Sequence, residues 1–181
     1  MSYAGTISNS GTLTFNSPSN QTLTGSVTGS GIWNKSGSGR LTTTASNSHN
    51  GTININDGTF RVTSAAGSSS MSINVMNGGT LDLQDKNFDA SSRIITLEGA
   101  GDNNIGALYL SSGGADDAAF NNSTIQLNAD ASIGVASGDT LRLYDGNSDT
   151  VITRQGSENN DLTISGMGKV CLLYTSPSPR D

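Results

Sequence analysis

"GTININDGTFRV", residues 51–62, states one short phrase twice: glycine, threonine, an apolar residue, a polar residue and a second apolar residue. Alternation of that kind puts Ile53 and Ile55, then Phe60 and Val62, on one side of an extended chain, with Asn54 and Arg61 on the other. Gly51 and Gly58 are read as the points at which the chain turns. A phrase repeated over so short an interval is a stacking unit rather than a binding signature, because its apolar positions need copies of themselves to cover them.

The same period of two recurs along the chain. It carries Leu13 and Phe15 in "GTLTF", Ile73 and Val75 in "SINV", Leu81 and Leu83 in "GTLDL", and Leu108 and Leu110 in "ALYL". Ile125 and Leu127, Ile133 and Val135, Leu141 and Leu143, and Leu162 and Ile164 continue it. Each segment predicts a strand of about four or five residues with one buried side. Between them stand turn clusters such as "NDG", "MNGG", "DGNSD" and "SENND". No segment sustains an i, i+3, i+4 apolar pattern, so helices should be nearly absent.

Composition narrows the architecture. Of 181 residues, 33% are hydrophobic, 5% aromatic and 13% charged, and 23 are glycine. Large side chains are too few for a thick core, so order must come from backbone pairing around a thin apolar strip. A sandwich would call for an aromatic core, and Trp33 has no second aromatic layer beside it in the sequence reading. A solenoid needs only one or two modest apolar side chains per strand, since equivalent positions stack about 4.8 Å apart on successive coils. At about 20 residues per coil, the expectation is roughly eight coils and a rod on the order of 40 Å long. Threonine and asparagine should stack as hydrogen-bonded ladders. The segments "DLQDKNFDASSR" and "SSGGADDAAFNNS" are expected to leave the coils as loops.

Charge and flanks bear on partners. The formal net charge is −6, with no basic cluster, which argues against nucleic acid. No apolar run approaches the roughly 20 residues of a membrane-spanning helix. The opening "MSYAGTISNSGTLTF" lacks the charged and apolar regions of a secretory signal. The final "CLLYTSPSPRD", residues 171–181, holds the sole cysteine and two of the three prolines. It is similar to the reading-frame translation of a transposase-type sequencing adapter. On that reading Cys171 is neither nucleophile nor ligand, and residues 1–170 form one β-helix segment of a longer protein, the reading frame having run into adapter.

Residues 25–62, "GSVTGSGIWNKSGSGRLTTTASNSHNGTININDGTFRV", carry a more specific resemblance. The order of Gly29 to Gly31, Ile32, Lys35, Gly37 to Gly39, Leu41, Gly51 to Ile55 and Gly58 to Val62 resembles the autotransporter-associated β-strand repeat, also called the passenger-associated transport repeat. Trp33 falls beside the usual apolar position, Thr43 occupies a usual strand leucine, and Phe60 replaces leucine. Residues 162–170 look like the start of a further unit equivalent to "VTGSGIWNK". The resemblance implies an all-β fold, a right-handed parallel β-helix, in a bacterial passenger that is secreted or displayed on the outer-membrane surface. It also implies an outer-membrane translocator barrel elsewhere in the full protein. Surface glycans or self-association are further partners to expect of an adhesin-like segment.

Candidate chemistry is sparse. "DGNSDT", Asp145 to Thr150, begins like a calcium loop, but Thr150 and Gly156 stand where glycine and glutamate are needed, so a turn capped by Asp and Asn is the reading adopted. "GGADDAAF" begins like a calcium-binding nonapeptide repeat but occurs once. His49, with no Cys, Glu or second His nearby, is read as an exposed loop residue. Asp82 with Asp85, or Asp116 with Asp117, would be the carboxylates of polysaccharide chemistry. Asp82 lies between Leu81 and Leu83 and should face outward, and Asp116 and Asp117 should sit in a solvated loop. The Gly-x-Gly strings lack the strand-to-helix setting of a phosphate loop. The sequence therefore assigns no catalytic residue, metal ligand or cofactor. It favours a noncatalytic stalk supporting export and display, with an extracellular carbohydrate-active β-helix as the alternative.

Overall fold

In the computed structural model, Ile53, Ile55, Phe60 and Val62 all point into a dry interior, as the alternation in residues 51–62 requires. The structure describes residues 1–63, 71–84, 88–112, 117–143, 151–155 and 159–172.

Each lap of the chain lays one strand on each of two long faces. The first face stacks Thr12–Asn16, Ile32–Ser36, Thr52–Ile55 and Ser72–Val75. It continues through 93–97 of the strand Phe88–Gly99, 123–127 of the strand Asp117–Val135, and Val151–Arg154. The second face stacks Ser2–Tyr3, Gln21–Leu23, Leu41–Thr43, Gly58–Val62, Gly79–Asp82 and Leu108–Leu110, then 131–135 and Leu162–Gly166. A shorter third side carries Ile7–Ser8, Val27–Gly29 and Ser48–His49. All of these described pairings are parallel, and each strand sits on the one a lap earlier. That is a parallel β-helix, almost wholly β in content.

Register shows how regular the coils are. Thr12, Ile32, Thr52 and Ser72 are successive partners, 20 residues apart. The interval then grows to 22 from Ile73 to Ile95, 30 from Ile95 to Ile125 and 27 from Ile125 to Ile152. The expected coil length thus holds for the first laps and lengthens beyond them. The inward row Trp33, Ile53, Ile73, Ile95 and Ile125 is fully covered, whereas Ile164, on a strand with a described neighbour on one side only, is 48% exposed.

Four findings add to or correct the sequence reading of the strands. Of the adjacent apolar residues Ile32 and Trp33, whose facing the sequence leaves open, Trp33 is the inward one: it is buried and Ile32 is 44% exposed. Trp33 also has aromatic company, with ring centroids 5.2 Å from Phe60, 5.9 Å from Phe15 and 6.0 Å from His49. These partners come from different laps and faces, so linear sequence gives no hint of them, and the edge-on Phe60 and His49 contacts are favourable for aromatic rings. Third, residues 88–93 and 117–123 are not excursions. They belong to the two longest strands: Phe88, Asp89 and Arg93 stand opposite Phe120, Asn121 and Ser123, and 117–119 pair with Thr140–Arg142, so each segment is held in a ladder by a neighbouring coil. Residues 85–87 and 113–116 of those segments lie outside the described residues.

The fourth concerns Gly51. The chain does bend at Gly51, and Gly58 takes φ +64°, but Gly51 itself has no positive φ; a Cβ there would run into the Gly31 carbonyl of the preceding coil. Gly51 is therefore required by the close approach of two backbones. Gly51→Ala is expected to destabilise the protein by about 1–3 kcal/mol, the range for overpacking a tight contact. A urea titration followed by far-ultraviolet circular dichroism would show it, and an unchanged midpoint would contradict the stacking.

The polar ladder does form. Asn54 Nδ2 donates to Asn34 Oδ1 and Asn74 Nδ2 to Asn54 Oδ1, both at 2.9 Å, along the outer side of the first face.

Candidate functional site

Asp82 keeps the phase that the sequence predicts, opposite to Leu81 and Leu83, yet it is only 1% exposed. The reason lies on the neighbouring coils. Arg61 Nε donates to Asp82 Oδ2 at 2.6 Å, and Ser111 Oγ donates to Oδ1 at 2.7 Å. The backbone N–H groups of Gln84 and Ser111 also donate to Oδ1, at 3.1 and 3.3 Å. Four donors from three coils thus hold this carboxylate, which makes it a clasp between coils rather than a free acid or base. Tyr109 stands next to Asp82 in register. Its phenol is pushed above its ordinary pKa, first by burial and then by Asp82 and Asp139, with Arg61 opposing.

Two cations are unexpectedly interior. Lys35 points inward between Phe15 and Ile55, and its Nζ donates to the carbonyls of Gly37 and Asp57 at 2.7 Å and of Ser36 at 3.4 Å. Three carbonyls match the three ammonium protons, so the lysine ties one coil's turn to the next. Burial lowers its pKa, against the opposing pull of Asp57 and Asp102. Arg93, buried in its strand, is lowered to about 10 by the same desolvation.

His49 is not an exposed loop residue: it is fully buried in the strand Ser48–His49, edge-on to Trp33. Burial lowers its pKa, with backbone groups of Thr52, Gly29 and Thr28 pulling the other way. A histidine depressed in the folded state binds its proton more readily when unfolded. Its contribution is therefore fully favourable above the unfolded value of 6.5 and is lost as the pH falls through 6.5 toward the folded pKa. Between pH 7 and 5 the wild type should lose more melting temperature than His49→Phe, which keeps the edge contact and removes the titration. Parallel pH profiles for the two proteins would contradict this account.

Among the described residues, the remaining sequence candidates do not assemble into a centre. Asp85, Asp116, the Asp145 to Thr150 loop and Gly156 lie outside the described residues. The backbone of Asp117 is in a strand, opposite Thr140. Among the described residues, no three of His, Cys, Asp and Glu gather as a metal site. Cys171 is in the strand Lys169–Cys171, paired with Thr140–Arg142.

One concave feature does emerge on the second face. Thr59 Oγ1 donates to Asp102 Oδ2 at 2.9 Å, while Thr80 Oγ1 accepts from the Asp102 N–H and donates to the Gly106 carbonyl, both at 2.8 Å. These bonds pin the single turn Asp102–Asn104 over the face, with Asn103 and Asn104 at φ 50° and 60°. Beside it the outward row reads Tyr109, Gly134, Ser165, and the Ile105 carbonyl takes the place a side chain at Gly134 would fill, so the turn closes tightly on the strand and leaves hollows to either side. Two adjoining cavities of about 320 Å³ each result, sharing Asn104 and Ser165. Sequence reasoning did not single out Asn104, Ser132 or Ser165; the one local signal was glycine at an outward strand position in "SIGV".

Comparison of the chain with known protein families, characterised proteins and solved structures returns no match. Among the described residues, no helix is long and apolar enough to cross a membrane.

Proposed function

We propose that this chain is a noncatalytic structural segment of a bacterial surface protein, a stalk-like β-helix that supports export and display of what it is joined to. The observation that carries this reading is the ladder of parallel strands that runs from coil to coil through the described residues. The side chains with most chemical potential, Asp82, Lys35 and His49, are buried between coils, and Asp82 and Lys35 spend their hydrogen bonds joining one coil to the next. A rod whose coils each contact only their neighbours can be built from one end, each new coil using the last as its template. The repeat-like order of residues 25–62 agrees with an autotransporter passenger, for which a translocator barrel would be the partner and the cell surface the location.

The test is display. Carried between a secretion signal and an outer-membrane barrel, the chain should reach the cell surface in a protease-resistant form, and Leu81→Asp should lower that surface signal sharply. Equal display of both proteins would count against the reading. So would hydrolysis of a polysaccharide by the purified chain that disappears in Asp116→Asn or Asp117→Asn.

A further inference from the structure

We propose that the trough on the second face, between the Asp102–Asn104 turn and the strands 131–135 and Leu162–Gly166, is a binding site for a neutral glycan. Its floor carries an unmet demand. Ser132 lines the first cavity, is 7% exposed, and its Oγ has no hydrogen-bond partner in the protein. A buried hydroxyl left unpaired is costly, and rotation about its Cα–Cβ bond would turn it from its covered position to a ligand hydroxyl in the trough. Asn104, at the junction of the two cavities, takes a left-handed conformation that asparagine tolerates well, and its turn is fixed from below by Thr59 and Thr80.

The class of ligand follows from the lining. Among the described residues, Asp130 is the one charged residue around either cavity, and its Oδ1 already accepts from the Asp161 N–H at 2.8 Å. With no Lys, Arg or His in the lining and a net charge of −6, an anionic ligand has nothing to attract it. An extended peptide would seek free backbone groups, but strand 131–135 is already paired on both sides, to Leu108–Leu110 and to Leu162–Gly166, so among the described residues a peptide could add only to the far edge of Leu162–Gly166, away from strand 131–135. What remains is recognition by side chains: hydroxyls and an amide from Ser132, Ser165, Thr163 and Asn104, with apolar patches from Tyr109 and Met167. A sugar, with hydroxyls at its rim and C–H groups on its faces, matches that mixture, and two adjoining cavities suit linked units. This site goes beyond the structural role and does not depend on it: the trough would bind glycan whether or not the chain supports display.

Native affinity electrophoresis of the full chain through gels containing dextran, galactomannan or laminarin tests the site, with polygalacturonate as the anionic control. Retardation by at least one neutral polysaccharide is expected. Ser132→Ala should weaken it about tenfold, the size of one well-placed hydrogen bond, while leaving the thermal melt unchanged or higher, since the hydroxyl it removes is unpaired. Tyr109→Ala should weaken it as well. No retardation in any neutral gel, retardation in polygalacturonate alone, or undiminished retardation of both variants would each overturn the proposal.

Discussion

Leu81→Asp is expected to be the most damaging single change in this molecule, opening the middle of the rod at a cost on the order of 5 kcal/mol or more. Leu81 is fully buried, stacked between Phe60 on the preceding coil and Leu108 on the following one. Removing its side chain from that strip forfeits about 1.5–3 kcal/mol of burial. An aspartate in its place adds several more, because a carboxylate there meets only apolar side chains and must be protonated or drawn out to water. The damage should be local at first. Each coil touches only its neighbours, so amide exchange should accelerate in Gly58–Val62 and Leu108–Leu110 before the first laps are affected. Thr42→Asp is the matched control: Thr42 is an outward position whose register partner is Arg61, so the same charge should be tolerated there. If Leu81→Asp melted like the wild type, the assigned inward row would be wrong.

The phase of that row was legible in the sequence because alternation is a local property. Residues 51–62, 72–75, 79–83 and 108–110 each show which side is apolar, and each is buried on that side. What sequence could not reveal depends on the neighbouring lap. Ile32 and Trp33 are adjacent apolar residues, and either could have been inward; the choice is made by Phe15, Phe60 and His49, which surround the indole from other strands. Polar residues were placed outside by their chemistry alone. Lys35 and His49 are nevertheless interior, Lys35 because carbonyls of two coils' turns converge on its ammonium, and His49 because its ring completes the aromatic group. The segments 88–93 and 117–123 depart from the loop expectation for the same reason, since their strand character comes from neighbouring coils, from each other and from Thr140–Arg142. The trough was least legible of all: it is made where a turn pinned from two coils away closes its Ile105 carbonyl onto Gly134.

Asp82→Ala should cost about 3–5 kcal/mol, the range for removing one partner of a buried ion pair, even though the substituted position faces away from the apolar strip. The loss of Arg61's partner is only part of it. The Ser111 hydroxyl and the N–H groups of Ser111 and Gln84 would lose their acceptor in a place that water does not reach freely. Asp82→Asn keeps the shape and one acceptor and should cost less. Arg61→Leu with Asp82→Leu, which removes both charges, should be milder than Asp82→Ala alone, and a double-mutant cycle on urea midpoints would measure the coupling. Tyr109 gives an independent optical readout. Asp82 helps to hold its phenol above the ordinary pKa while Arg61 opposes, so Asp82→Ala should let the tyrosine ionise at lower pH in a difference titration near the tyrosinate band. A loss below about 1 kcal/mol with an unmoved tyrosine titration would show that the clasp is incidental. Position argues that it is not. Phe60 to Leu81 spans 21 residues and Leu81 to Leu108 spans 27, so Asp82 sits where the even coils give way to longer ones. Coil length no longer sets register there, and a one-residue slip would turn this carboxylate into the core. Bonded to Arg61 on the lap before and Ser111 on the lap after, Asp82 makes that slip costly at the point where the repeat itself stops enforcing it.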